Sequence, residues 1–158
     1  MKESHWTFNG VKIDEFEYGV FGFVYRITNL QDIKYYIGKK KVRKIRTKKV
    51  KSAYSGKLVS KKENTESDWK TYTGSNKQLN EDIVKLGKEN FKFEILALAY
   101  TQGQLSYLEE AAQMKTNALT DVRYYNYAIG NANFRNLKID GNLIESLHVL
   151  QKNIVLKE

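Results

Sequence analysis

Twelve of the 24 residues from Lys39 to Lys62 are Lys or Arg and none is Asp or Glu, and the run starts directly after Tyr35-Tyr36-Ile37-Gly38. Ammonium and guanidinium groups at that density are what proteins set against phosphate backbone. The charge is local. Outside the run 15 basic residues face 18 acidic ones, so a mildly acidic body carries a positive segment and the total is +9. A solvated, flexible charge run would have the same composition, but the aromatic-rich sequence on both sides argues for an ordered element. Other chemistries are narrowed by what is missing. With no cysteine there is no disulfide frame, thiolate metal site or Cys nucleophile. Two histidines, His5 and His148, do not make a multi-histidine zinc site, and both are read as surface residues. Catalysis then falls to Tyr, Lys, Arg, Glu, Asp, Ser or Asn, with an oxygen-liganded metal where metal is used.

The elements that must position such groups follow from pattern. A chain of 158 residues fits one domain with a mid-sized core. No apolar run approaches the ~20 residues of a membrane span, and Met1-Lys2-Glu3-Ser4-His5 has no apolar stretch behind it, so the expectation is a soluble, cytoplasmic protein. Val20–Ile27 and Ile33–Gly38 are rich in β-branched and aromatic residues and read as strands, joined by the polar turn Thr28-Asn29-Leu30-Gln31-Asp32. The basic run is read as helix although its apolar periodicity is poor. Ser75 reads as an N-cap, followed by Leu79, Ile83 and Leu86 at helical spacing and Gly87 as a stop. Phe91–Tyr100 reads as a central strand. Gln104–Ala118 is a second helix with Leu105, Leu108 and Ala112 on one face, and Leu143–Leu156 is a third. Gly130–Asn133 and Asp140-Gly141-Asn142 are loop signals. The result is a small α/β (α+β) sandwich with helices on an antiparallel or mixed sheet.

Gly22-Phe23-Val24-Tyr25, then eleven residues from Tyr25 to Tyr36, then Tyr36-Ile37-Gly38, resembles the two-part motif of the GIY-YIG nuclease superfamily. Phe23-Val24-Tyr25 stands where Gly-Ile-Tyr is usual. The similarity continues through Trp69–Ser75, the helix ending at Gly87, Phe91–Leu96, Tyr107-Leu108-Glu109 and Tyr124-Tyr125-Asn126, and covers about residues 20–130. It is nearest to the small freestanding SegE-like phage branch grouped with homing endonucleases. The resemblance implies a GIY-YIG fold, with a central sheet of about three strands flanked by helices. Residues 1–130 would form the nuclease domain and 131–158 a C-terminal helical extension, whose helix packs on the core or makes a homodimer contact.

The implied activity is hydrolysis of DNA phosphodiesters with one divalent cation, Mg²⁺ or in its place Mn²⁺, in a phage or mobile-element protein. Tyr25 and Tyr36 would direct their hydroxyls into one site. A tyrosine with an ordinary pKa of ~10 is a poor base unless its phenolate is stabilised, which is the role implied for Lys39 beside Tyr36. Arg46, ten residues after Tyr36, matches the family's arginine, and its guanidinium fork suits phosphate oxygens; Arg43 is the alternative. Glu109 matches the metal-holding glutamate, with Glu110 the alternative, and Asn126 matches the asparagine that closes the site. Where some relatives carry a His or Tyr, four residues after the arginine, this chain has Val50, which leaves Tyr36 as the base. Arg43, Lys44, Lys48, Lys49, Lys51 and Lys57 are the expected DNA contacts. Trp69, Tyr72 and Gly74 are read as fold determinants. A non-catalytic nucleic-acid-binding or structural module on the same fold is the competing reading, since phosphate contacts alone imply no cleavage.

Overall fold

The computed structural model describes residues 2–130 and 137–155. The loop residues Asn131, Ala132 and Asn133 and the helix end at Leu156 lie outside the described residues. The chain opens with two short strands, β1 (Thr7–Phe8) and β2 (Val11–Lys12). Next come the expected hairpin, β3 (Gly22–Asn29) and β4 (Lys34–Lys41), and a second hairpin, β5 (Arg43–Lys51) and β6 (Leu58–Glu66). Helix α1 (Lys77–Leu86), strand β7 (Phe91–Ala99), helix α2 (Gln102–Lys115) and helix α3 (Gly141–Asn153) complete the described elements longer than one turn.

The main sheet has the order β2-β1-β7-β3-β4, with β1 parallel to β7 and the other pairs antiparallel. It therefore has five strands where about three were expected. The two extra ones, β1 and β2 at one end of the sheet, have two residues each, too short to leave a periodic signal. Every residue of β3 is buried, because both faces of this strand are covered, which is why it reads as an almost unbroken apolar run. One face carries Phe23, Tyr25 and Ile27 against Trp6, Trp69 and Leu79; the other carries Val24 against Leu105, Leu108 and Leu150. Between Val24 and Tyr25 the pairing with β7 slips by one residue, with Leu96 as the extra residue, and the slip keeps Tyr25 opposite Ile95 on the first face. In the connecting turn Asn29 Oδ1 accepts from the amides of Gln31 and Asp32 at 3.0 and 3.2 Å.

Three expectations are corrected. The basic run is not a helix: it ends β4 and then forms the β5–β6 hairpin as a separate two-stranded sheet. Basic and β-branched residues alternate from Lys44 to Lys48 with a period of two, and the run lacks any apolar stripe for a helix to bury. The N-cap of α1 is Asn76, whose Oδ1 accepts from the Leu79 amide at 2.9 Å, and not Ser75. Leu79 and Ile83 are buried and Gly87 ends the helix at φ +89°, as the pattern indicates. His5 is not a surface residue: its ring lies 4.0 Å from that of Phe93 and 5.0 Å from that of Trp6. The amphipathic face of α3 is used within the chain, with Leu143 and Leu150 buried in the cluster that contains α2 and β7 residues.

His5 gives the fold an acid limit. Its Nε2 lies 3.0 Å from the Tyr72 carbonyl, which can only accept, so Nε2 carries the hydrogen and the buried, unpartnered Nδ1 is bare. Burial, with the nearby Lys88 charge, depresses its pKa to about 4. The unfolded chain therefore takes up this proton first, near its ordinary value of ~6.5. The corresponding stability is complete above that pH and is lost on acidification toward pH 4, by about 2 kcal/mol for a ring that solvent partly screens. Urea unfolding at pH 7 and pH 4 should show the His5→Gln variant losing less stability than the native chain by about that amount. Equal losses would remove His5 from the account.

Candidate active site

The site forms at β4, the outer strand of the sheet. Tyr25 on β3 pairs with Gly38 on β4, and Tyr36, two residues before Gly38, projects from the same face. The Tyr25 ring lies across Gly38: a Cβ there would sit 2.5 Å from Tyr25 Oη and 2.7 Å from Cζ, so no larger residue fits beneath this tyrosine. The Tyr25 and Tyr36 ring centroids are 6.1 Å apart, and Tyr72 stands 6.2 Å from Tyr25, edge to face. Tyr25 is 1% exposed, and Tyr36 is only partly covered. Tyr36 is thus the hydroxyl a substrate can reach, and it lies 3.1 Å from Ser75 Oγ. Both phenols have raised pKa values. For Tyr25 the main cause is burial, followed by the neighbouring Tyr36, Tyr72 and Glu109. For Tyr36 burial again dominates and outweighs the Ser75 hydrogen bond, which pulls the other way. At neutral pH both are uncharged.

Glu109 enters from α2, whose first turn is capped by Thr101 Oγ1 accepting from the Gln104 amide. Its Oε2 is 2.8 Å from Lys39 Nζ, and that ammonium also donates to Ser106 Oγ at 3.2 Å. Burial raises the Glu109 pKa, Lys39 opposes the rise, and Glu110 adds to it. Glu109 in turn raises both tyrosines, so its charge acts in the same neighbourhood.

Asn126 has a different part. Its Oδ1 accepts from the Ile37 amide at 2.9 Å and its Nδ2 donates to the Ile37 carbonyl at 2.8 Å. It acts as a substitute strand partner for β4, beside the backbone pairing of Tyr35 with Arg123 and Tyr125. Edge closure is a positioning role, since it holds the strand that carries Tyr36.

The structure thus brings together Tyr25, Tyr36, Lys39, Glu109 and Asn126, with one change of partner. Lys39 cannot serve Tyr36 as expected, because residues three apart on a strand point to opposite faces, and its ammonium is held by Glu109 and Ser106. Lys40 is the lysine on the tyrosine face; its Nζ lies 3.7 Å above the Tyr72 ring and 2.7 Å from Asp68 Oδ1. Arg46 and Arg43 are exposed on β5. Among the described residues no hydrogen bond or ion pair joins Arg46 to the tyrosines or to Glu109. Ser75, Tyr72 and Lys40 are the neighbours that sequence reasoning missed, though strand parity would have found Lys40. Of the expected DNA contacts, Arg43, Lys44, Lys48, Lys49 and Lys51 lie on β5 and Lys57 in the turn before β6. Lys48 is paired with Glu63 at 2.6 Å.

No group of three or more His, Asp and Glu side chains able to hold a metal occurs among the described residues. Glu109 is the carboxylate near the tyrosines that could hold a cation, of a kind that keeps most of its waters. Among the described residues no helix is long and apolar enough to cross a membrane.

A mixed sheet flanked by helices, with paired tyrosines meeting over the glycine of its outer strand, defines a nuclease-type domain of the GIY-YIG fold. The family model described as "Putative endonuclease segE, GIY-YIG domain" matches residues 6–129, and the chain belongs to that family. No curated protein and no solved structure matches it.

Proposed function

We propose that this chain is a metal-dependent DNA endonuclease, cutting phosphodiester bonds at the β4 edge. The observation that carries the reading is that the reachable Tyr36 hydroxyl and the Lys39–Glu109 pair flank the same outer strand, with the Glu109 charge felt at Tyr36, in a domain whose family is one of endonucleases. Glu109 would hold Mg²⁺, or Mn²⁺ in its place; when bound, the ion supplies positive charge against the scissile phosphate. Lys39 keeps the carboxylate oriented and ionised against its burial. Tyr36 handles the proton of the attacking water, and Ser75 fixes the direction of its hydroxyl. Tyr25, sealed beneath the surface, supports Tyr36 as a positioning residue. The arginine that meets the phosphate comes from the exposed β5, as Arg46 or Arg43, when DNA lies along the edge. A phage or mobile-element nuclease is the biological setting that the SegE-type family membership supports.

The test is plasmid DNA incubated with the purified chain in Mg²⁺, in Mn²⁺ and in EDTA. Nicked or linear product with either ion and none in EDTA is expected. Binding without cutting under every condition would instead establish a nucleic-acid-binding module on a nuclease fold.

A further inference from the structure

The β5–β6 hairpin is built unlike the rest of the protein. It forms its own two-stranded sheet. Its attachment runs through Val42, whose amide donates to the Phe21 carbonyl at 3.0 Å and whose carbonyl accepts from the Ser67 amide at 2.9 Å. Isolated two-stranded hairpins are at best marginally stable in water, yet this one leaves Ile45 70% and Leu58 64% exposed. Such an element is completed by a partner, and its charge says which kind: among residues 43–66 nine are Lys or Arg and two are Glu.

Residues directly opposed in the register share a face, and the two faces differ. One carries Lys44, Arg46, Lys48 and Lys61, with the Glu63 carboxylate in its middle. The other carries Arg43, Lys49, Lys51 and Lys62 with the hydrogen-bonding side chains of Thr47, Ser60 and Asn64 between them. The one acid on this second face, Glu66, lies at its base, where its Oε1 accepts from Trp69 Nε1 at 2.8 Å. The second face is thus cationic and lined with donors, its single carboxylate confined to the base. Its exposed Ile45 and Leu58 are groups that thymine methyls can meet. Two strands about 4.8 Å apart with their side chains, and about 30 Å long for nine residues each, suit a groove ~12 Å wide and not one of ~6 Å.

We propose that this ribbon enters the major groove of duplex DNA by the Lys49–Lys62–Asn64 face and reads base edges there. It is thus the specificity element of the nuclease and more than a phosphate clamp. The inference rests on the nuclease reading above and names how that site is brought to its target.

Binding is measured with the full chain in EDTA, where no cutting is expected, on duplexes selected by the chain from a random pool. Methylation of guanine N7, which lies in the major groove, should weaken binding to a selected duplex at least tenfold. The K49Q/K62Q/N64A variant should lose at least tenfold of the preference for selected over random duplex, since each good base contact discriminates by about 5–150-fold. K44Q/K48Q/K61Q should weaken both duplexes alike and keep the preference. A second form, in which residues 47–62 are replaced by Asn-Gly so that Arg46 and Glu63 flank a tight turn, guards against misfolding of the triple variants. It should retain the thermal transition of the body and lose the preference entirely. Unchanged preference in that form, indifference to N7 methylation, or tighter binding to duplex RNA, whose major groove is too narrow to admit side chains, would overturn the ribbon's role. If cleavage persists in those cases, the nuclease reading stands; a chain that neither binds nor cuts duplex DNA sinks both.

Discussion

Glu109→Gln is expected to give a chain that binds duplex DNA at least as tightly as the native protein and does not cut it. The substitution keeps the shape of the side chain and removes its charge. Two consequences follow from the geometry. Lys39, now 2.8 Å from a neutral amide, loses the partner that holds it, and one negative charge leaves a surface that must receive phosphate. Binding therefore holds or improves, while the loss of the proposed cation ligand should lower the single-turnover rate by about 10²–10³-fold, the scale on which enzymes lose an electrostatic stabiliser. Gel-shift titration and single-turnover cleavage on the same duplex separate the two effects. Full activity would transfer the cation to Glu110 or remove it from the mechanism. Lys39→Met should lower the rate by less than Glu109→Gln, because the structure ties this lysine to the carboxylate and not to the tyrosine, and it should weaken binding, because a positive charge is removed.

Tyr36→Phe should cost about 10²–10⁴-fold in rate with the fold intact, the usual range for a lost general acid–base group. Its pH dependence carries the sharper test. Burial holds the Tyr36 phenol above its ordinary value of 10.0, so the charged form that could accept a proton is scarce at neutral pH and grows about tenfold with each pH unit. If Tyr36 is the base, the rate rises with pH through the neutral range and does not level off below pH ~10. Tyr36→Phe removes that rise. Ser75→Ala removes the hydrogen bond that lowers the phenol's pKa, so it should move the profile further toward alkaline pH. A plateau near pH 7 that survives Tyr36→Phe would assign the proton transfer elsewhere.

How much of this was legible in the sequence divides along physical lines. Elements whose signal is local were found: the β3–β4 hairpin with its Asn29 turn, the Leu79–Ile83 stripe closed by Gly87, and the apolar β7. Elements that depend on distant partners were not. Trp6 is fully buried, but it sits in a polar stretch and its burial depends on Trp69, Tyr25 and Phe93, none of them near in sequence. The basic ribbon escaped because its pairing, not an apolar face, makes it a strand. In the site, the tyrosines and Glu109 were identified by family resemblance and their electrostatic proximity is a matter of tertiary structure. Which lysine serves which group is decided by parity along β4, which the spacing from Tyr36 carries once the strand is known to run on to Lys41. Ser75 was noticed for the wrong reason, since it directs Tyr36 and the capping falls to its neighbour Asn76.

The parallel pairing of Thr7 and Phe8 with Glu94 and Ile95 also sets an order of events during biosynthesis. Translation proceeds at about 5–20 residues per second, so the first strand waits roughly 5–20 s for β7 to be made. Until then Trp6, with Phe23 and Tyr25 beside it, lacks the central strand it closes against, and the nascent chain presents an aromatic surface that is covered only once β7 arrives.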